Sequence, residues 1–223
     1  MVETNNGLVW LEKTLSDFPA RGIALYVRSG TGYSGPNVRD ANTALSPEAN
    51  ELSRAFGALL NGHMAGAVSA PGDTSVETAR CVLEGAGLSS AVLQVDPDIG
   101  DPSLYVTNVE LAMSENRRSP VAVAREALLS GILRERAAWA TKDPQLAARK
   151  IQAKLVASIH PGKVTVFVAP SVAIAATVGF ALGKEASIGY KDCPASLEGA
   201  VIFRGEKDAV WVRMGSHSGP SVL

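Results

Sequence analysis

The chain has 223 residues with 21 Lys and Arg against 22 Asp and Glu, a formal net charge of -1 that removes the electrostatic case for nucleic acid or an anionic membrane as partner. Only 5% of residues are aromatic, and they are not interleaved with basic ones, which argues against a base-stacking surface. A hydrophobic content of 46% with 19% charged residues is ordinary for a buried-sheet α/β protein, and the length suffices for one substantial core, so one domain over residues 1–223 is expected.

The opening Met1-Val2-Glu3-Thr4-Asn5-Asn6 has no basic stretch followed by an apolar core, so no secretory leader is read and a soluble, cytoplasmic protein is expected. The run Ile23 to Arg28 is apolar and β-branched, and it ends in the turn Ser29-Gly30-Thr31-Gly32. Ser46-Pro47 then places a capping side chain before a proline at the first helical position, and Gly62 stops that helix. A second strand, Ala65 to Ala70, meets Pro71 and leads into a helix over Ser75 to Glu84 that Gly87 closes. Ala91 to Val95 reads as a third strand. The segment Asp96 to Arg118 is rich in Asp, Pro, Asn and Ser and reads as a long loop bordering a pocket.

Ser119-Pro120 and Asp143-Pro144 repeat the cap-then-proline signal for two further helices. The longest apolar stretch, Val164 to Leu182, approaches membrane length, but Pro170 and Ser171 divide it into a buried strand, Val164 to Ala169, and a buried helix stopped by Gly183. Ala200 to Arg204 and Ala209 to Met214, joined by Gly205-Glu206-Lys207-Asp208, predict an antiparallel hairpin at the sheet edge. The Gly- and Ser-rich tail Met214 to Pro220 reads as a mobile terminus, with the alternative that it folds over the pocket mouth and delivers His217 to it. These elements predict a three-layer α/β/α sandwich with a mostly parallel central sheet. Ligands in such sheets sit beyond the carboxyl ends of the strands, so the turns after Arg28, Ala70 and Ala169 should meet at one pocket.

The frame of those three strand ends resembles the histidine phosphatase (phosphoglycerate mutase-like) superfamily, from about Leu11 to Met214. Arg28-Ser29-Gly30-Thr31-Gly32 stands where the family has Arg-His-Gly or Arg-His-Ala with a second Arg. Leu45-Ser46-Pro47-Glu48-Ala49 matches its helix start, and Ala70-Pro71 with Glu77-Thr78-Ala79 its Ser-Pro strand end and following helix start. The resemblance implies a nucleophilic His at the position of Ser29, clamping Args at Gly32 and Thr74, a second His at Pro170, and an Asp at Ser171 in the Asp-bearing branch. Arg28 alone keeps the family's residue.

A phosphohistidine route needs an imidazole in reach of phosphorus, a second donor, cationic clamps and an acid for the leaving group. The chain has three histidines, and His63 and His160 precede strands, which puts them ~20 Å from the pocket at the other end of a six-residue strand. No phosphatase or phosphomutase chemistry is therefore expected, and no catalytic residue is assigned. Ser29 lacks an adjacent base and reads as a pocket hydroxyl.

The candidate ligand-binding set is Arg28, Ser29, Thr31, Gly32, Thr74, Pro170 and Ser171. Arg28 has two readings: a clamp for a carboxylate or other anion, or a structural Arg paired with Asp96, Asp98 or Asp101. Tyr33 and Tyr105 are candidates for the pocket wall, with ordinary packing as their other reading. Cys81 and Cys193 lack CxxC spacing and read as thiols, and no cofactor or metal is expected. Two functions fit: a scaffold that binds a small molecule or protein partner, or a repurposed enzyme acting on a neutral or carboxylate substrate in the same cleft.

Overall fold

A computed structural model describes residues 6–17, 22–31, 44–101, 104–108, 111, 121–134 and 143–223. Gly32, Tyr33 and the Ser119-Pro120 helix start lie outside them. Among the described residues, seven strands form one sheet: β1 (Ile23–Arg28), β2 (Met64–Ser69), β3 (Leu93–Val95), β4 (Val164–Ala169), β5 (Gly199–Arg204), β6 (Val210–Met214) and β7 (His217–Pro220). Six helices have bounds among the described residues: α1 (Asn6–Asp17), α2 (Pro47–Leu59), α3 (Asp73–Gly85), α4 (Val121–Leu133), α5 (Pro144–Ala157) and α6 (Ser171–Ala181).

The strand order is β3-β2-β4-β1-β5-β6-β7; the first four run parallel and the last three are antiparallel to their neighbours. β4 is buried at all six positions because helices cover both faces of the parallel half. On one face Ile23, Leu25 and Val27 join Val164, Val166 and Val168 against α1, α2 and α3; on the other Ala24 and Tyr26 join Phe167 and Ala169 against α4, α5 and α6. This is the expected three-layer sandwich. No described helix is long and apolar enough to cross a membrane, and α6 is instead buried along its length in the second core.

The local signals explain where elements begin. Ser46 Oγ accepts from the Ala49 amide at 3.1 Å and Asp143 Oδ1 from the Leu146 amide at 2.8 Å, each before a proline at the start of its helix. β3 is shorter than expected because Ser89 Oγ accepts from the Ala91 amide at 3.2 Å and winds residues 90–92 into a 3-10 turn.

The tail departs most from expectation. Gly215 takes a φ of 54°, which permits a two-residue turn after Met214, and His217 to Pro220 then pair antiparallel with β6. The β5–β6 hairpin forms, but β6 is interior and β7 is the edge, where Pro220 loses no donor that the sheet needs. Ser221 and Val222 continue the attachment, their amides donating to Val210 O at 2.7 Å and Ala181 O at 2.8 Å.

Candidate functional site

The carboxyl ends of β1, β4 and β2 lie side by side. The Ser29 amide donates to Ala169 O at 3.3 Å, and the Ala70 amide to Val168 O at 2.9 Å, so the three turns leave the sheet together. Pro170 caps α6 with its φ of -64°, and Ser171 is the first helical residue. Thr74 is the second residue of α3, whose N-cap Gly72 offers no side-chain bond. Ser29, Thr74, Pro170 and Ser171 thus occupy one end of the sheet, with Thr31 exposed beside them and its carbonyl accepting from the Ser46 amide at 3.2 Å.

Thr78, matched above only as part of the Glu77-Thr78-Ala79 frame, proves to join these elements. Lying inside α3 rather than at its start, it is fully buried; its Oγ1 accepts from the Gly30 amide at 3.0 Å and donates to Thr74 O at 2.6 Å. One hydroxyl therefore ties the turn after β1 to the first turn of α3. Gly30 is itself confined, since a Cβ there would stand 3.2 Å from both Ala49 and Leu45 side chains. A small polar residue one helical turn after Thr74 was the available signal.

Arg28 lies on the Tyr26 face by strand alternation, and its Nη1 donates to Pro194 O at 3.3 Å. Main-chain bonds from Arg28 to Glu198 O and from Leu197 to Arg28 O, at 2.8 and 3.1 Å, bind the same loop to β1. Asp96 and Asp98, two of the proposed acid partners for Arg28, are instead held by Lys154 on α5, at 2.5 and 2.9 Å. Burial works against the Lys154 ammonium, but the two carboxylates outweigh it and leave its pKa raised. The hydrogen bond from Lys154, with its charge, lowers the pKa of Asp98.

Tyr105 is a core residue: its phenol is 3.1 Å from Thr177 Oγ1, and burial pushes its pKa far up. Tyr26 donates its phenolic hydrogen to Ile99 O, and burial raises its pKa well above the usual phenol value.

The histidines are accounted for one by one. His63 immediately precedes β2, and its carbonyl accepts from the Val164 amide; His160 precedes β4 and is exposed. Both stand at the opposite end of the strands from Ser29. His217 does not cover the strand ends as a flap. It is on β7, three strands from β1 or roughly 14 Å across the sheet, with Nε2 3.1 Å from Asp192 Oδ1. Burial opposes ionisation of Asp192, yet the Gly189 amide and His217 outweigh it and lower its pKa. Among the described residues no group of three His, Cys, Asp or Glu side chains could hold a metal, and neither Cys81 nor Cys193 is in a disulfide.

This sheet order, with helices on both faces and three turns meeting at the ends of β1, β2 and β4, is the histidine phosphatase (phosphoglycerate mutase-like) fold. Solved structures that share it include Bacillus stearothermophilus YhfR, at a TM-score of 0.58 and 14% identity over 86% of this chain and 95% of that one. Mycobacterial hydrolase 1 superposes at 0.56 with 18% identity, covering 89% and 100% of the two chains. Mycobacterial glucosyl-3-phosphoglycerate phosphatase, solved in complex with VO3, superposes at 0.55 with 20% identity over 89% and 98%. No protein-family model matches the chain, and no curated protein matches it in sequence.

Proposed function

We propose that residues 1–223 form one histidine phosphatase-fold domain that performs no phosphoryl transfer and serves as a binding or regulatory scaffold. Its ligand, a small molecule or a protein segment, is held at the strand ends by Arg28, Ser29, Thr31, Gly32, Thr74, Pro170 and Ser171. The observation that carries this reading is the placement of the histidines, two at the amino ends of β2 and β4, away from the cleft, and one on β7 bonded to Asp192. A phosphohistidine route has no imidazole to start from at Ser29 and no second imidazole to donate to the transition state at Pro170. Each missing group of this kind costs ~3 kcal/mol or more of transition-state stabilisation, and several are missing.

The ligand is neutral or carries a single carboxylate. One guanidinium makes one bidentate contact, whereas a phosphoryl dianion needs several charged donors to offset its desolvation. Pro170 contributes no amide donor at the start of α6.

The test is phosphomonoester hydrolysis by the wild-type chain and by Arg28→Ala, beside calorimetric titration with phosphate and a set of carboxylates. Hydrolysis at the buffer rate and a carboxylate affinity that falls with Arg28→Ala are the expected results. Turnover that Arg28→Ala abolishes, or tight phosphate binding, overturns the reading. A metabolite retained through native purification, and transformed by the wild type but not by Arg28→Ala, would favour instead a repurposed enzyme acting on a neutral or carboxylate substrate in the same cleft.

A further inference from the structure

The turn after β3 passes over the strand ends and is fastened at four places. The Asp96 amide donates to Ser69 O at 2.8 Å, the last residue of β2. Ile99 is fully buried and its carbonyl accepts the Tyr26 phenol. Gly100 lies so close to the sheet that a Cβ there would stand 2.9 Å from Ala169 Cβ, 3.1 Å from Pro170 Cδ and 3.3 Å from Ala70 Cβ. Lys154, from the opposite side of the turn, reaches both Asp96 and Asp98. Asp96 Oδ1 also accepts from the Asp98 amide at 2.9 Å, which sets the two carboxylates toward one ammonium.

We propose that residues 96–100 form a latched cover on the β2–β4 side of the cleft, with Lys154 as the latch and Gly100 as the seat. The cover leaves the β1–α3 side, where Thr31 is exposed, as the approach to the cleft. This last point rests on the strand ends being the ligand cleft; the fastening itself does not. Lys154 is a positioning residue, acting on the cleft only through the turn it holds. The arrangement fits the chemistry of its parts. The latch's bonds to Asp96 and Asp98 are ionic and partly exposed, so they can be released without unfolding the sheet, whereas the Gly100 seat is apolar and depends on close approach.

Native-state hydrogen exchange tests this. The amides of Asp96, Ile99, Gly100 and Asp101 are all bonded within or to the turn, so their protection reports the closed cover. Lys154→Met is expected to speed exchange at these four by roughly two- to fivefold, the range that a partly exposed ion pair supports. Gly100→Ala, which obstructs the seat, should speed it by roughly fivefold or more. In both variants the amides of β1 and β4 should exchange as in wild type. Unchanged protection of the turn in Lys154→Met or in Gly100→Ala refutes the latch or the seat respectively. Equal acceleration across β1 and β4 refutes the cover as a separately moving unit. None of these results depends on whether the cleft hydrolyses phosphate, so the cover and the scaffold reading fail separately.

Discussion

Replacing Thr78 by Val keeps the side chain's shape and deletes the hydroxyl that ties the turn after β1 to α3. Two bonds go with it, from the Gly30 amide at 3.0 Å and to Thr74 O at 2.6 Å. Gly30 is buried, so its amide would be left without this acceptor inside the protein. A buried donor left unpaired costs ~1–3 kcal/mol. At about 2 kcal/mol, and with ~2–4 °C of melting temperature per kcal/mol for a chain of this size, the variant should melt ~4–8 °C below wild type. Thr78→Ser keeps the hydroxyl and loses one methyl group, so it should recover most of the Gly30 amide's protection even where it does not recover all the stability. Thermal and urea unfolding, with hydrogen exchange at Gly30 in all three proteins, separate the terms. A Thr78→Val protein that melts with wild type, with Gly30 as protected as before, would show that this hydroxyl does not hold the site together.

Three further outcomes follow from other contacts. Gly57→Ala and Gly85→Ala should each cost about 3 kcal/mol or more in urea unfolding, because the added Cβ would lie 1.9 Å from Val82 O or Arg54 O, and two helix backbones would have to part. Stability should fall as pH rises above ~10: Tyr26 and Tyr105 have raised pKa values in the folded state, so their contribution is complete below the unfolded phenol value and is lost above it. Tyrosinate absorbance from these two phenols should therefore appear only with unfolding, and its appearance in the folded protein would contradict their burial. The cover's protection, corrected for intrinsic exchange, should weaken as pH falls below ~4, since the lowered pKa of Asp98 in the folded state makes its contribution present above the unfolded value and lost through the folded one. Lys150 also faces Asp98 and lowers its pKa, so Lys150→Met should shift that acid limb upward without removing it.

The frame of the site was readable because it is local. β1 and β4 end where an apolar run meets a turn signal, at Arg28 and Ala169 as expected, and the caps at Ser46 and Asp143 act within four residues of themselves. What stayed hidden depends on partners far along the chain. Nothing near Lys154 announces Asp96, 58 residues away, and nothing near Tyr26 announces Ile99. The sequence puts Asp96 and Asp98 at the strand ends with Arg28, but position along the sheet does not say which cation arrives from the helix layer. The strand in the tail is hidden for a different reason. Its small and polar residues lack the alternation of a half-buried strand, and pairing with β6 comes from the Gly215 turn rather than from side-chain pattern.

The strand order also governs when the sheet can exist. β1 and β2 are never neighbours; each pairs with β4, whose residues begin at Val164, so the two strands have no shared ladder until some 140 residues after Ile23 have been made. During synthesis β1 waits with both edges open, because its other partner, β5, comes later still. Closing such distant pairs before any reward is slow, and unpaired apolar edges are the usual route to aggregation. The three turns of the cleft are thus assembled in one late event, by the arrival of Val164 to Ala169 between two strands already waiting for it.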